Sequence, residues 1–119
     1  MAAPNIVDVT SIIGKTAVLA VTTSETALVT NSAASGKVFK VNSLVVANID
    51  GTAAADITVV VKRSATNYAL ASTITVPADS SLVVVSKENV IYLEEGDAIY
   101  CLASANGDLQ AVCSYEDIS

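Results

Sequence analysis

Apolar and polar residues alternate with a period of two through most of the chain, the mark of strands that bury one face. The longest alternating run covers residues 36–51. Phe39, Val41, Ser43, Val45, Ala47 and Ile49 fall on one side, and Val38, Lys40, Asn42, Leu44, Val46 and Asn48 on the other. Residues 56–63 follow with Ile57, Val59 and Val61 opposite Val60. With Asp50-Gly51-Thr52 between them, the two runs predict a long central β-hairpin. Its first face, led by Phe39 and Val41, is the expected core face. The second face should be polar in a half-solvated sheet, yet it carries Leu44, Val46 and Val60, so these are the residues expected to meet a partner.

The rest of the chain reads in the same way. Two short β-type runs, residues 5–9 and 17–21, flank Ile12-Ile13-Gly14-Lys15. They predict an N-terminal arm over residues 1–23 ahead of a sandwich domain over 24–119. The equal alternative is that both runs belong to the sheets of their own subunit. An arm strand that leaves its domain can complete a neighbour's sheet edge, which adds Ile6, Val7 and Val9 to the candidate interface. Further strands are expected at 27–30, 67–76, 81–86, 90–93 and 98–103, with Pro77 ending the second of these by removing an amide donor. Asn106-Gly107 predicts a tight final hairpin, after which Leu109, Ala111, Cys113 and Tyr115 share one face. No helical periodicity of useful length occurs. About eight strands at roughly ten-residue spacing indicate an all-β antiparallel sandwich, jelly-roll or immunoglobulin-like.

Composition narrows this picture. At 119 residues the chain suits one domain. Hydrophobic residues make up 52%, but with one Phe and no Trp the core must be built from Val, Ile, Leu and Ala. Charged residues are only 15%, so part of the surface is suited to burial by other proteins. A net charge of −6 with only Lys62-Arg63 as adjacent cations excludes phosphate-backbone recognition, so no nucleic-acid partner is expected. The first residues lack the basic region of a signal peptide, and no stretch approaches the roughly 18 apolar residues of a membrane span. Synthesis in a cytoplasm, with no membrane partner, is the expectation.

Chemistry-bearing residues are sparse. There is no His to serve the many Ser and Thr as a base. Cys101 and Cys113 have no basic neighbour to activate a thiolate, and are expected as free thiols in the core. Glu94-Glu95-Gly96-Asp97, with Glu88 or Asp108, is the densest carboxylate cluster. Ca²⁺ ligation needs such oxygens to converge, and the order of residues fits a polar turn around Gly96 better. No catalytic, cofactor-binding or metal-ligating residue is identified, and a non-enzyme without a cofactor is expected.

Several segments carry a resemblance: residues 31–44 (NSAASGKVFKVNSL), Ala47-Asn48-Ile49-Asp50-Gly51, Val76-Pro77-Ala78, Leu93-Glu94-Glu95-Gly96-Asp97, and the ending Cys113-Ser114-Tyr115-Glu116-Asp117-Ile118-Ser119. Together they resemble small virion structural proteins of tailed bacteriophages, in particular cyanophage-like myoviruses. The resemblance implies a virion location, self-association, and partners among major capsid, neck or tail subunits. A capsid decoration or cement role is the first expectation, a neck, tail or baseplate component the second. A carbohydrate-binding module resting on exposed Tyr residues is a third.

Overall fold

The computed structural model describes residues 9–119, so Ile6 and Val7 of the candidate interface lie outside the described residues. The described residues form nine strands: β1 (Ile12–Ala20), β2 (Thr26–Thr30), β3 (Val38–Asn48), β4 (Ala55–Arg63), β5 (Thr66–Val76), β6 (Ser81–Val85), β7 (Ile91–Leu93), β8 (Ala98–Ala103) and β9 (Leu109–Ile118). A single 3₁₀ turn, Lys87–Asn89, is the helical content of the described residues. One antiparallel sheet has the order β1-β9-β3-β6, with β7 also paired to β3; the other has the order β2-β8-β4-β5. Most connections step from one sheet to the other, and the first and last strands pair, as in a double-sheet jelly roll. The expected all-β sandwich is therefore the observed fold.

Two expected hairpins are instead corners between sheets. β3 pairs with β6, β7 and β9, whereas β4 pairs with β5 and β8. The connection between β3 and β4 is six residues long and is folded by Asn48, whose Nδ2 donates to the carbonyls of Ala53 and Val76 at 3.0 and 2.9 Å. Asp50 Oδ1 then accepts from the Thr52 and Ala53 amides. Asn106-Gly107 likewise carries the chain from β8 in one sheet to β9 in the other. Gly107 has φ +84, and Asn106 Oδ1 accepts from the Thr23 amide at 2.9 Å. The tight hairpin lies elsewhere, between β4 and β5 at Ser64-Ala65, with φ values of 52 and 62. Those are the positive values a two-residue primed turn demands, here adopted without Gly or Asn.

β1 bears on the arm expectation. Its nine residues pair in unbroken register with β9 of the same chain, from Ile12 opposite Ile118 to Ala20 opposite Gln110. The run at 17–21 thus belongs to its own subunit's sheet. Residues 21–23 are tied into the sandwich: Val21 is buried, its amide donates to the Leu109 carbonyl, and the Thr22 carbonyl accepts from Ala103. A boundary after residue 23 does not divide an arm from the domain over this described stretch.

The core is aliphatic. Val41, Leu44, Val46, Ile57, Val59, Leu93, Ile99, Leu109, Ala111 and both cysteines are fully or almost fully buried between the sheets. Phe39 packs at the rim with its ring 5.1 Å from that of Tyr115.

Candidate assembly surface

The outer face of the β1-containing sheet is set by one irregularity. Across the β3–β9 ladder Val41 stands opposite Tyr115 and Ser43 opposite Ser114, so Asn42 is an extra residue, a β-bulge. An inserted residue exchanges the two faces of everything beyond it. Phe39 and Val41 point inward before the bulge, and Leu44, Val46 and Asn48 after it. Leu44 and Val46 have 0% exposure and lie in the core of a single chain, so their expected placement on an outer, partner-seeking face is corrected. Val60 does sit on an outer face, that of the second sheet, between Tyr100 on β8 and Ala69 on β5. It is only 7% exposed, hence already covered by its own subunit. Val9, half-buried, directly precedes the Thr10 and Ser11 amides that donate to the Ser119 carbonyl.

The same bulge turns Val45 outward. Val45 has Val112 as its partner on β9 and Val83 on β6, and Val112 is partnered on its other side by Val18 of β1. Four valines thus form one cross-strand row over four strands. Val18, Val83 and Val112 are 72%, 59% and 43% exposed. The row on one side is Ala20, Gln110, Ala47 and Ser81, and that on the other contains Thr16, Ser114 and Ser43. No charged side chain occurs in these three rows. Charge reappears one row further on, where Lys40 stands between Glu116 and Tyr92. Over β1 and β9 the surface sinks into a shallow depression of about 300 Å³ lined by Val18, Leu19, Ala20, Gln110, Ala111 and Val112. Sequence reasoning anticipated an excess of outward apolar strand surface. It set Leu44 and Val46 on that surface, where the structure has them inside, because an alternation count runs straight through Asn42.

The 94–97 carboxylates and two further buried polar side chains, Asn31 and Asp117, serve as fold latches. Asp97, 2% exposed, accepts from Arg63 Nε and Nη2 at 2.8 and 2.6 Å and from the Glu94 amide. The Arg63 hydrogen bonds hold the Asp97 carboxyl below the ordinary aspartate value against the opposing effect of burial, and the same pairing raises Arg63. Glu95 accepts from the Gly36 amide, and Glu94 pairs with Arg63 at the surface. The cluster at 94–97 is a turn whose carboxylates already have partners. Asn31, fully buried, donates to the carbonyls of Lys37 and Leu93 and accepts from Ser35 Oγ. Asp117, 3% exposed, accepts from Lys15 on β1 and Lys37 before β3, at 2.8 and 3.2 Å. Burial acts to raise the Asp117 carboxyl, but the two lysines outweigh it and hold it low.

The remaining candidates disperse. Cys101 and Cys113 are free, fully buried, and pushed up to about 12 and about 11 by that burial. Tyr68 and Tyr92 are exposed on different sheets, Tyr100 lies under the Lys62 ammonium, and Tyr115 packs on Phe39. Among the described residues no group of three or more Cys, Asp or Glu is placed to hold a metal ion, and no helix is long and apolar enough to cross a membrane.

Comparison with known proteins bears out the class of fold. No family model matches the chain, and no curated protein matches it by sequence. A solved structure, from work described as "Bacillus endospore appendages form a novel family of disulfide-linked pili", superposes with a TM-score of 0.53 over 90% of this chain and 87% of that one. The two sequences are 16% identical. The likeness is one of fold.

Proposed function

We propose that this chain is a non-enzymatic structural subunit of a phage virion, assembling on the particle exterior as a capsid decoration or cement protein. The observation that carries the reading is the uncharged outer face built on Val18, Val45, Val83 and Val112. Burying a fully exposed valine stabilises a complex by up to about 1.5–3 kcal/mol, so three exposed valines with the half-buried Val45 between them supply a contact that few charges need to be desolvated to form. The resemblance of segments such as residues 31–44 and 113–119 to tailed-phage virion proteins favours the virion, and a net charge of −6 suits its outside, since packaged DNA repels that sign. Partners are shell subunits and further copies of this chain.

A neck or tail component is the second reading. It is favoured by the shared fold with a pilus subunit, because a pilus, like a tail, repeats one subunit along an axis. Quantitative mass spectrometry of purified particles separates the two. Hundreds of copies per particle support decoration, single figures to tens support the neck or tail, and absence from the particle removes the virion reading. Loss of incorporation in Val45→Lys, with the domain still folded, ties the role to this face.

A further inference from the structure

We propose that the chain pairs with a second copy of itself, β1 against β1 and antiparallel, joining two five-stranded sheets into one. This rests on the assembly reading above and names one partner for it. Unprotected edge strands are templates for pairing, and proteins blunt them with bulges, short strands or outward lysines. The other four edge strands of the described residues are all blunted. β2 has a register break between Ala27 and Val29, and β6 and β7 have only five and three residues. β5 has two breaks and a β-branched Thr73 at φ +52. β1 has nine residues in unbroken register, and among the described residues nothing pairs with its far side. Its only charge, Lys15, is drawn to Asp117 at 2.8 Å and does not guard that edge.

The side chains fit a second copy. Full antiparallel overlap centres on Thr16, which sets Ile13 opposite Leu19 of the other copy, Ile12 opposite Ala20, Gly14 opposite Val18, and Lys15 opposite Ala17. No like charges meet. Ile12 and Ile13, left 57% and 52% exposed in the single chain, each gain an apolar cross-strand neighbour. A two-fold axis perpendicular to the sheet keeps both valine rows on the same side, closing the pair without an open-ended filament. One copy's three uncharged rows cover only about 400 Å² at strand spacings of about 4.8 Å, short of the roughly 800 Å² per partner of a stable contact. Pairing doubles that face and makes it sufficient.

Analytical ultracentrifugation and hydrogen exchange on the full chain test this. Amides alternate in direction along β1, so of Thr16→Pro and Ala17→Pro one removes an amide that faces β9 and the other an amide that faces outward. The variant that keeps wild-type thermal unfolding is expected to weaken the dimer at least about tenfold. Val45→Lys, away from the edge, is expected to leave the dimer intact while abolishing particle assembly. The outward β1 amides of the wild type should gain exchange protection as concentration rises, a readout that holds even if both proline variants unfold. A wild-type chain that stays monomeric without concentration-dependent protection overturns the proposal, as does a folded proline variant that dimerises normally. If Val45→Lys still blocks assembly in that event, the outer-face reading stands without the dimer.

Discussion

Val45 on β3 stands directly opposite Val112 on β9, and both side chains point away from the core. Leu44, the next residue toward the N-terminus, has 0% exposure on the other side of the same sheet. Substitution of either member of the outward pair by lysine should leave folding within about 0.5 kcal/mol of wild type and prevent assembly. Thermal unfolding together with a particle-incorporation assay checks both halves.

Leu44 provides the inward counterpart. Leu44→Ala empties a core site and is expected to cost about 2–5 kcal/mol, whereas Val45→Ala should cost far less. Urea unfolding of the two variants reads the position of the Asn42 bulge energetically. Equal costs would place the bulge elsewhere.

Asn31 and Asn48 do corresponding work at different corners, each donating to two carbonyls across a connection. Removing either amide takes the donor from one buried hydrogen bond, to the Leu93 carbonyl for Asn31 and to the Val76 carbonyl for Asn48, at about 1–3 kcal/mol. Asn31→Ala and Asn48→Ala are therefore expected to destabilise strongly, and Asn31→Asp not to rescue, because a carboxylate cannot donate. Chemical denaturation measures this.

Acid should loosen the fold through Asp97 and Asp117. Both carboxyls are held below their unfolded value, so the stability they contribute is complete above that value and is lost as pH falls through the folded value. For Asp117 the lost contacts join β1 and the start of β3 to the end of β9. Asp117→Asn is expected to lower stability at neutral pH and flatten the acid limb of the stability profile; an unchanged acid limb would show that the Lys15 and Lys37 contacts contribute nothing measurable.

Cys101 and Cys113 should resist alkylation in the native state near neutral pH, because burial raises both thiols far above their ordinary value. Denaturation without reductant should then admit two alkyl groups, as judged by intact mass. Rapid labelling of the native protein would show that the core opens readily.

Much of the sandwich was legible because strand periodicity reports half-burial wherever the register is regular. The inward set on β9, Leu109, Ala111 and Cys113, follows alternation and is buried as expected. The residues that escaped are those where local geometry breaks the count. Asn42 inserts one residue and exchanges the faces beyond it, moving Leu44 and Val46 inward and Val45 outward. Asn106-Gly107 has hairpin chemistry, but its asparagine caps the chain after β1 and the loop turns between sheets. Ser64-Ala65 makes the true hairpin with residues that carry no turn signal. The outer valine row was invisible for a further reason: its members come from four strands far apart in sequence, and only strand order brings them together.

The central claim is that the face built on Val18, Val45, Val83 and Val112 is covered by other subunits in the assembled state. Imaging of assembled particles at side-chain resolution tests it most directly. All four valines should be buried against a neighbouring subunit, with Leu44 and Val46 still inside their own sandwich; a valine row that faces solvent in the particle would contradict this.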